Sequence, residues 1–206
     1  MKISKRLRGF TLIELLVVIG IIVVLSVVVV LTLNPAELLK QERDSNRVSD
    51  MATLKSSLSL YMADVTSPNL ASSSNGYASC FAIGSSTASG NCTVAIGTYQ
   101  RFFRGVGIWI STGTVANQLN VNSTGWLPVS FDLISSGSPI SALPIDPVDN
   151  STYFYGYSAT TTPNLAYKLS AKMESGKYSK GGSADIETAD GGSASTTYEV
   201  GTQLSL

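Results

Sequence analysis

The 206-residue sequence has no histidine, only two cysteines and only 14% charged residues, and its fourteen Lys and Arg are matched by fourteen Asp and Glu. Without histidine, the common hydrolase triads and zinc sites lose the residue they are most often built on. Two cysteines are too few soft ligands for a metal centre, and the separation of Cys80 from Cys92 is far from the Cys-x-x-Cys of redox catalysts. The balanced bulk charge gives no direct sign of a nucleic-acid partner, which would usually show as a basic patch or stripe. The charged fraction lies well below the roughly 25% of average soluble domains, yet 44% hydrophobic content does not fit a disordered chain. The positive mean hydropathy, +0.21, therefore has a local source.

That source is the first 33 residues. Lys2, Lys5, Arg6 and Arg8 precede an apolar run from Phe10 to Leu33 in which Glu14 is the only charge. As a helix the run would extend about 36 Å, enough to span a bilayer. Basic residues ahead of it keep the N-terminus cytoplasmic and place the chain beyond Leu33 outside the inner leaflet. The run is longer than a secretory signal and ends in Thr32-Leu33-Asn34-Pro35, without a small-residue cleavage site. No cysteine lies near it to carry a lipid. An ionised carboxylate in such a run costs on the order of 2.5–3.5 kcal/mol at a bilayer centre. Its place in the first turns of a helix lets the helix dipole offset part of that.

The string Arg8-Gly9-Phe10-Thr11-Leu12-Ile13-Glu14-Leu15-Leu16 resembles the processing site of type IV prepilins and type II secretion pseudopilins. The resemblance implies a leader, residues 1–9, cut by a prepilin peptidase between Gly9 and Phe10, and methylation of the new amino group of Phe10. It further implies that Glu14 meets the N-terminal amine of a neighbouring subunit during assembly, a pairing in which loss of either charge leaves the other buried alone. Cleavage would remove four basic side chains and leave ten against fourteen acidic ones. The implied partners are further copies of the chain in a helical homopolymer, the peptidase, membrane lipid before assembly, and an inner-membrane platform driven by a cytoplasmic ATPase. The implied location is the inner membrane first, then an extracellular or periplasmic filament.

The rest reads as an α+β domain, with a long N-terminal helix packed on a small antiparallel sheet as in pilins: an assembly helix over 10–33, an amphipathic continuation over 34–65 and a β-rich domain over 66–206. Asn34-Pro35 predicts a bend or local melting. Glu37, Lys40, Glu42, Arg43, Asp44, Arg47 and Asp50 read as a solvated helical face, with Lys40 and Asp44 spaced for contact. Met51, Leu54, Leu58, Tyr61 or Met62, and Val65 form an apolar stripe, and Thr66-Ser67-Pro68-Asn69 supplies the stop near Asp64. Ala71 to Asn91 reads as an extended loop with short strands. Val106–Ile110 and Leu127–Phe131 read as strands. Tyr153, Tyr155 and Tyr157 would share one strand face, and Leu165 to Met173 alternates as a half-buried strand, the two forming a hairpin. Thr196 to Leu206 would add an edge strand or dock on the domain.

In an exported domain Cys80 and Cys92 are expected to form a disulfide worth about 3 kcal/mol by chain entropy; the other reading is two free thiols. Leu143-Pro144-Ile145-Asp146-Pro147 ahead of Tyr153-Phe154-Tyr155 resembles a pattern of major pseudopilins, though a plain turn with Asp146 bonded to nearby backbone explains it equally. Asp185, Glu187 and Asp190 beside glycines offer hard oxygen ligands for calcium, without EF-hand spacing. Major pseudopilins often carry calcium in a C-terminal loop, and here the match is by acidic content alone; an ordinary solvated loop is the alternative. No cofactor is otherwise required. Ser175-Gly176-Lys177-Tyr178 lacks the phosphate-loop pattern and reads as a turn. Serines without histidine complete no nucleophilic set, so the chain is expected to be structural rather than an enzyme. Three readings stand: subunit of a type IV pilus-like filament, pseudopilin of a short periplasmic filament, and monomeric membrane-anchored binding domain.

Overall fold

The structure, a computed structural model, describes residues 9–70, 77–82, 117–150, 152–160 and 165–206, with backbone alone at 30–33 and 77–82. It comprises two compact units, one running to Leu39 and the other from Lys40 to Leu206.

In the first unit, helix α1 (Leu12–Leu33) starts at Thr11, whose hydroxyl accepts from the Glu14 N–H while the Glu14 carboxylate reaches back to the Thr11 N–H. This reciprocal box satisfies donors that a helix start otherwise leaves open. Residues 12–29 are long and apolar enough to cross a membrane, and every one of them is exposed in the isolated chain. The helix ends at Asn34, held in the left-handed region at φ 40°, which asparagine tolerates better than most residues. Pro35 then opens α2 (Pro35–Asp64), at a position where its missing N–H costs nothing. The Asn34 carbonyl accepts from Glu37 and Leu38 N–H at 2.9 and 3.3 Å.

The second unit holds the core. Met51, Leu54, Leu58 and Tyr61 recur at helical spacing along α2 and are buried against Trp126, Leu127, Phe131 and a four-stranded sheet. Strands β1 (Tyr77–Ala82), β2 (Tyr155–Thr160), β3 (Ala166–Ala171) and β4 (Tyr198–Gly201) pair antiparallel in chain order. In register Tyr157 faces Leu169 and Ala171 faces Tyr198. Three buried tyrosines carry their hydroxyls to partners around α2: Tyr155 to Asp50 at 2.6 Å, Tyr157 to the Leu70 carbonyl at 2.9 Å and Tyr167 to the Lys55 carbonyl at 3.2 Å. The aromatic strand face is thus core with satisfied polar ends. The expected hairpin, the α2 stop after Asp64 and the C-terminal strand are all present.

Four local expectations are corrected. The solvated face of α2 fails at Asp44 and Arg47, which are fully buried, and Asp44 pairs with Arg47 rather than Lys40. Leu127–Phe131 is buried but forms no strand. Pro128 lacks an N–H for a ladder, and the segment makes one bridge, Asn122 with Ser130, before a 3-10 turn at Phe131–Leu133. Tyr153 precedes β2 and stacks beneath the Arg47 guanidinium instead of joining the strand face. Strand β3 is buried on both faces, because Lys168 pairs with Glu199 of β4 at 2.9 Å, both side chains fully buried. Val106–Ile110 lies outside the described residues.

Candidate functional site

The segment around the expected processing point is built by the α1 cap. Gly9 and Phe10 lie just before the helix, non-helical and exposed, with Phe10 81% exposed. A Cβ placed on Gly9 would meet nothing within 4 Å among the described residues. None of the described residues therefore demands glycine there. Thr11 fixes the first turn of α1: its N–H and its hydroxyl both donate to Glu14 Oε2, at 2.8 and 2.7 Å. The one acid of the apolar segment is thereby turned toward the helix start, one residue from Phe10. Ser26, the other polar side chain described deeper in α1, returns its hydroxyl to the Ile22 carbonyl at 2.7 Å. Gly9 and Phe10 thus lie directly ahead of the capped first turn of α1, and Glu14 is bonded to Thr11 within it.

The acidic C-terminal residues are arranged otherwise. Asp185 accepts from the Gly181 N–H, the Thr188 N–H and the Thr188 hydroxyl. With the Thr188 hydroxyl leading, these donors hold its carboxyl at about 2. Glu187 is buried, with one oxygen on the Met173 N–H and the other on the Lys180 N–H, each at 2.9 Å. Burial pushes its carboxyl up against the pull of those donors. Asp190 accepts from Gly192 and Glu199 N–H, and burial raises it too. Each carboxylate thus organises its own stretch of backbone, and among the described residues no group of three acidic, histidine or cysteine side chains is placed to hold a metal. Cys80 falls on β1, in register with Tyr157. Cys92, and with it the expected disulfide, lies outside the described residues.

Sequence reasoning missed a buried charge network in the second unit. Arg47 forks onto Asp146 through Nε at 2.6 Å and Nη2 at 2.8 Å, and its Nη1 meets Asp44 at 2.7 Å. Asp44 also accepts from the Glu174 and Ser175 N–H, and Glu174 is held by the fork of Arg43. Burial alone would lower the Arg47 pKa; hydrogen bonds and charge from Asp146 and Asp44 override it and leave it raised. Asp146 also keeps its expected turn role, accepting from Val148 N–H at 2.8 Å. A signal was available: extended backward, the spacing of Met51, Leu54, Leu58 and Tyr61 lands on Asp44 and Arg47. The network clamps α2 to two loops, the one carrying Asp146 and the one carrying Glu174 and Ser175.

Residues 4–30 match the family model described as the prokaryotic N-terminal methylation motif. No curated protein and no solved structure matches the chain. The chain bears, over residues 4–30, the prepilin signature of type IV pilins and pseudopilins, carried by a pilin-like α+β arrangement of an apolar N-terminal helix, a second helix and a small antiparallel sheet.

Proposed function

We propose that this protein is a structural subunit of a type IV pilus-like filament, stored in the inner membrane, cut between Gly9 and Phe10, methylated on Phe10 and polymerised through α1. The observation that carries the reading is the processing point itself. Among the described residues nothing packs on Gly9 or requires it to be glycine, and it stands directly before an exposed Phe10 and a capped, apolar helix. A peptidase that needs glycine ahead of the cut explains the residue; the fold does not. Glu14 is the assembly residue on this reading, exchanging its own-chain partner Thr11 for the N-terminal amine of a neighbouring copy. Helices move from lipid to protein contacts with little hydrophobic gain, so extraction falls to the platform and its ATPase.

A second reading, the pseudopilin of a short periplasmic filament, is favoured by the Pro144–Pro147 turn leading into the tyrosines of β2. Both readings share the same first experiment. Intact mass and N-terminal sequence of protein from membranes and from sheared cell-surface material should show a chain starting at N-methyl-Phe10 in the sheared fraction. Mature chain confined to the membrane and periplasm would favour the pseudopilus, and an uncut chain would favour the anchored binding domain. Replacing Glu14 by Ala should leave insertion and leader removal intact and abolish filaments, counted by electron microscopy; normal filaments in that variant would refute its role.

A further inference from the structure

The pattern Asn-x-Thr occurs at Asn91-Cys92-Thr93, Asn122-Ser123-Thr124 and Asn150-Ser151-Thr152. In an exported chain it is the acceptor pattern for N-linked glycans, and it requires an exposed loop. The first copy lies outside the described residues. The other two are described at both the Asn and the Thr, and all four of those residues are exposed.

The two differ in how the asparagine amide is engaged. At Asn150 the side-chain oxygen accepts only backbone N–H, from Thr152 at 2.8 Å and Tyr153 at 3.0 Å. The turn it makes leads straight to Tyr153 under Arg47, so this asparagine has a structural task. At Asn122 the oxygen accepts the Thr124 hydroxyl at 2.6 Å and the Thr124 N–H at 3.3 Å. The same hydroxyl accepts from Asn120 Nδ2 at 3.0 Å, so the two side-chain bonds form a relay that polarises each next member. Hydrogen bonds to Oδ1 draw electron density from the amide, which makes Nδ2 easier to deprotonate. Among the described residues Asn122 Nδ2 donates to no partner, and it is the atom a sugar would take. Ser123, between the two, sits in the left-handed region at φ 69°, and its N–H ties the loop by donating to the Val129 carbonyl at 3.2 Å. Asn122, bridged to Ser130, and Thr124 are thus exposed residues held in place on either side of the one that ties the loop.

We propose that Asn122 is an N-glycosylation site, modified on the exported side of the membrane from a polyprenyl diphosphate-linked sugar. Asn122 Nδ2 forms a bond to the anomeric carbon, the bond from that carbon to the diphosphate oxygen breaks, the polyprenyl diphosphate leaves, and the amide proton passes to a base of the transferase. Nothing is oxidised or reduced. The site rests on the export reading proposed above, since such donors are used outside the cytoplasm.

The test is mass spectrometry of the full chain purified from its native host, as wild type and as Asn122→Gln, Thr124→Ala and Thr124→Ser, reading both the N-terminus and the peptide that contains residue 122. Wild type and Thr124→Ser should carry a mass increment of whole sugar residues on that peptide, and Asn122→Gln and Thr124→Ala should lose it. A bare peptide from chains that start at N-methyl-Phe10 overturns this site and leaves the processing reading standing. A bare peptide from uncut chains overturns both. An increment that survives in Asn122→Gln overturns the assignment to this residue.

Discussion

Arg47 shows how much one side chain can hold together. Its guanidinium has no exposed surface, lies 5.1 Å over the Tyr153 ring and engages carboxylates from α2 and the 143–150 loop, with Glu174 a further 3.5 Å contact. Planar forks of this kind suit buried pairing better than a lysine would. Replacing Arg47 by Ala leaves Asp44 and Asp146 buried without their cation and should destabilise the second unit by about 3–5 kcal/mol, read as a lower denaturant midpoint of the full chain in detergent. A loss under 1 kcal/mol would mean that the Asp44 and Asp146 bonds to backbone suffice. None of this was legible from charge alone. Asp44 and Arg47 look like any solvated pair until the loops carrying Asp146 and Glu174 close over them, and those partners lie about a hundred or more residues away. Glu14, by contrast, was legible as an isolated acid in an apolar run, and its contact with Thr11 is local.

At the scale of elements, the loop from Gly181 to β4 is organised by its own carboxylates. Asp185 gathers three donors, and Asp190 takes the N–H of Gly192 and that of Glu199 on β4. Asp185 has its carboxyl at about 2 in the folded state against an ordinary 3.8. A lowered acid contributes stability above its unfolded pKa and loses it as pH falls through the folded one, so its share disappears between about pH 4 and 2. Asp185→Asn should therefore flatten that part of the acid dependence of thermal unfolding while changing its slope little above pH 5. An unchanged acid limb would show that these bonds persist in the unfolded chain. Glu187 and Asp190, raised by burial, act in the opposite sense. Periodicity identified β2 and β3 because alternation is a local property. It misjudged 127–131, where apolar residues mark burial but Pro128 has no N–H to donate and the pairing stops at a single bridge, Asn122 to Ser130. It also treated the Lys168 face of β3 as solvated, because the Glu199 that neutralises it arrives with the last strand.

At the scale of the whole molecule, the two units are stabilised by different means. The buried core runs from Met51 of α2 through the sheet to Met173 and lies wholly within the second unit, whereas the described side chains of α1 are exposed. A chain beginning at Pro35 should therefore be soluble and unfold in one cooperative step by circular dichroism, while the full chain requires membrane or detergent. A broad, non-cooperative melt of the shorter chain would mean that α1 contributes to the core. By itself the sequence determined the apolar segment, its basic flank, the processing motif, the lone Glu14, the α2 stripe and the alternating hairpin. Each is written in neighbouring residues, and bilayer length, helix period and strand period read neighbours. Only the tertiary structure decided which charges are buried, that the apolar run 127–131 is not a strand and which backbone donors the carboxylates of the acidic loop meet. Those outcomes depend on the partner each group meets across the fold, and a carboxylate's role is set by whether it faces a guanidinium, a backbone N–H or water.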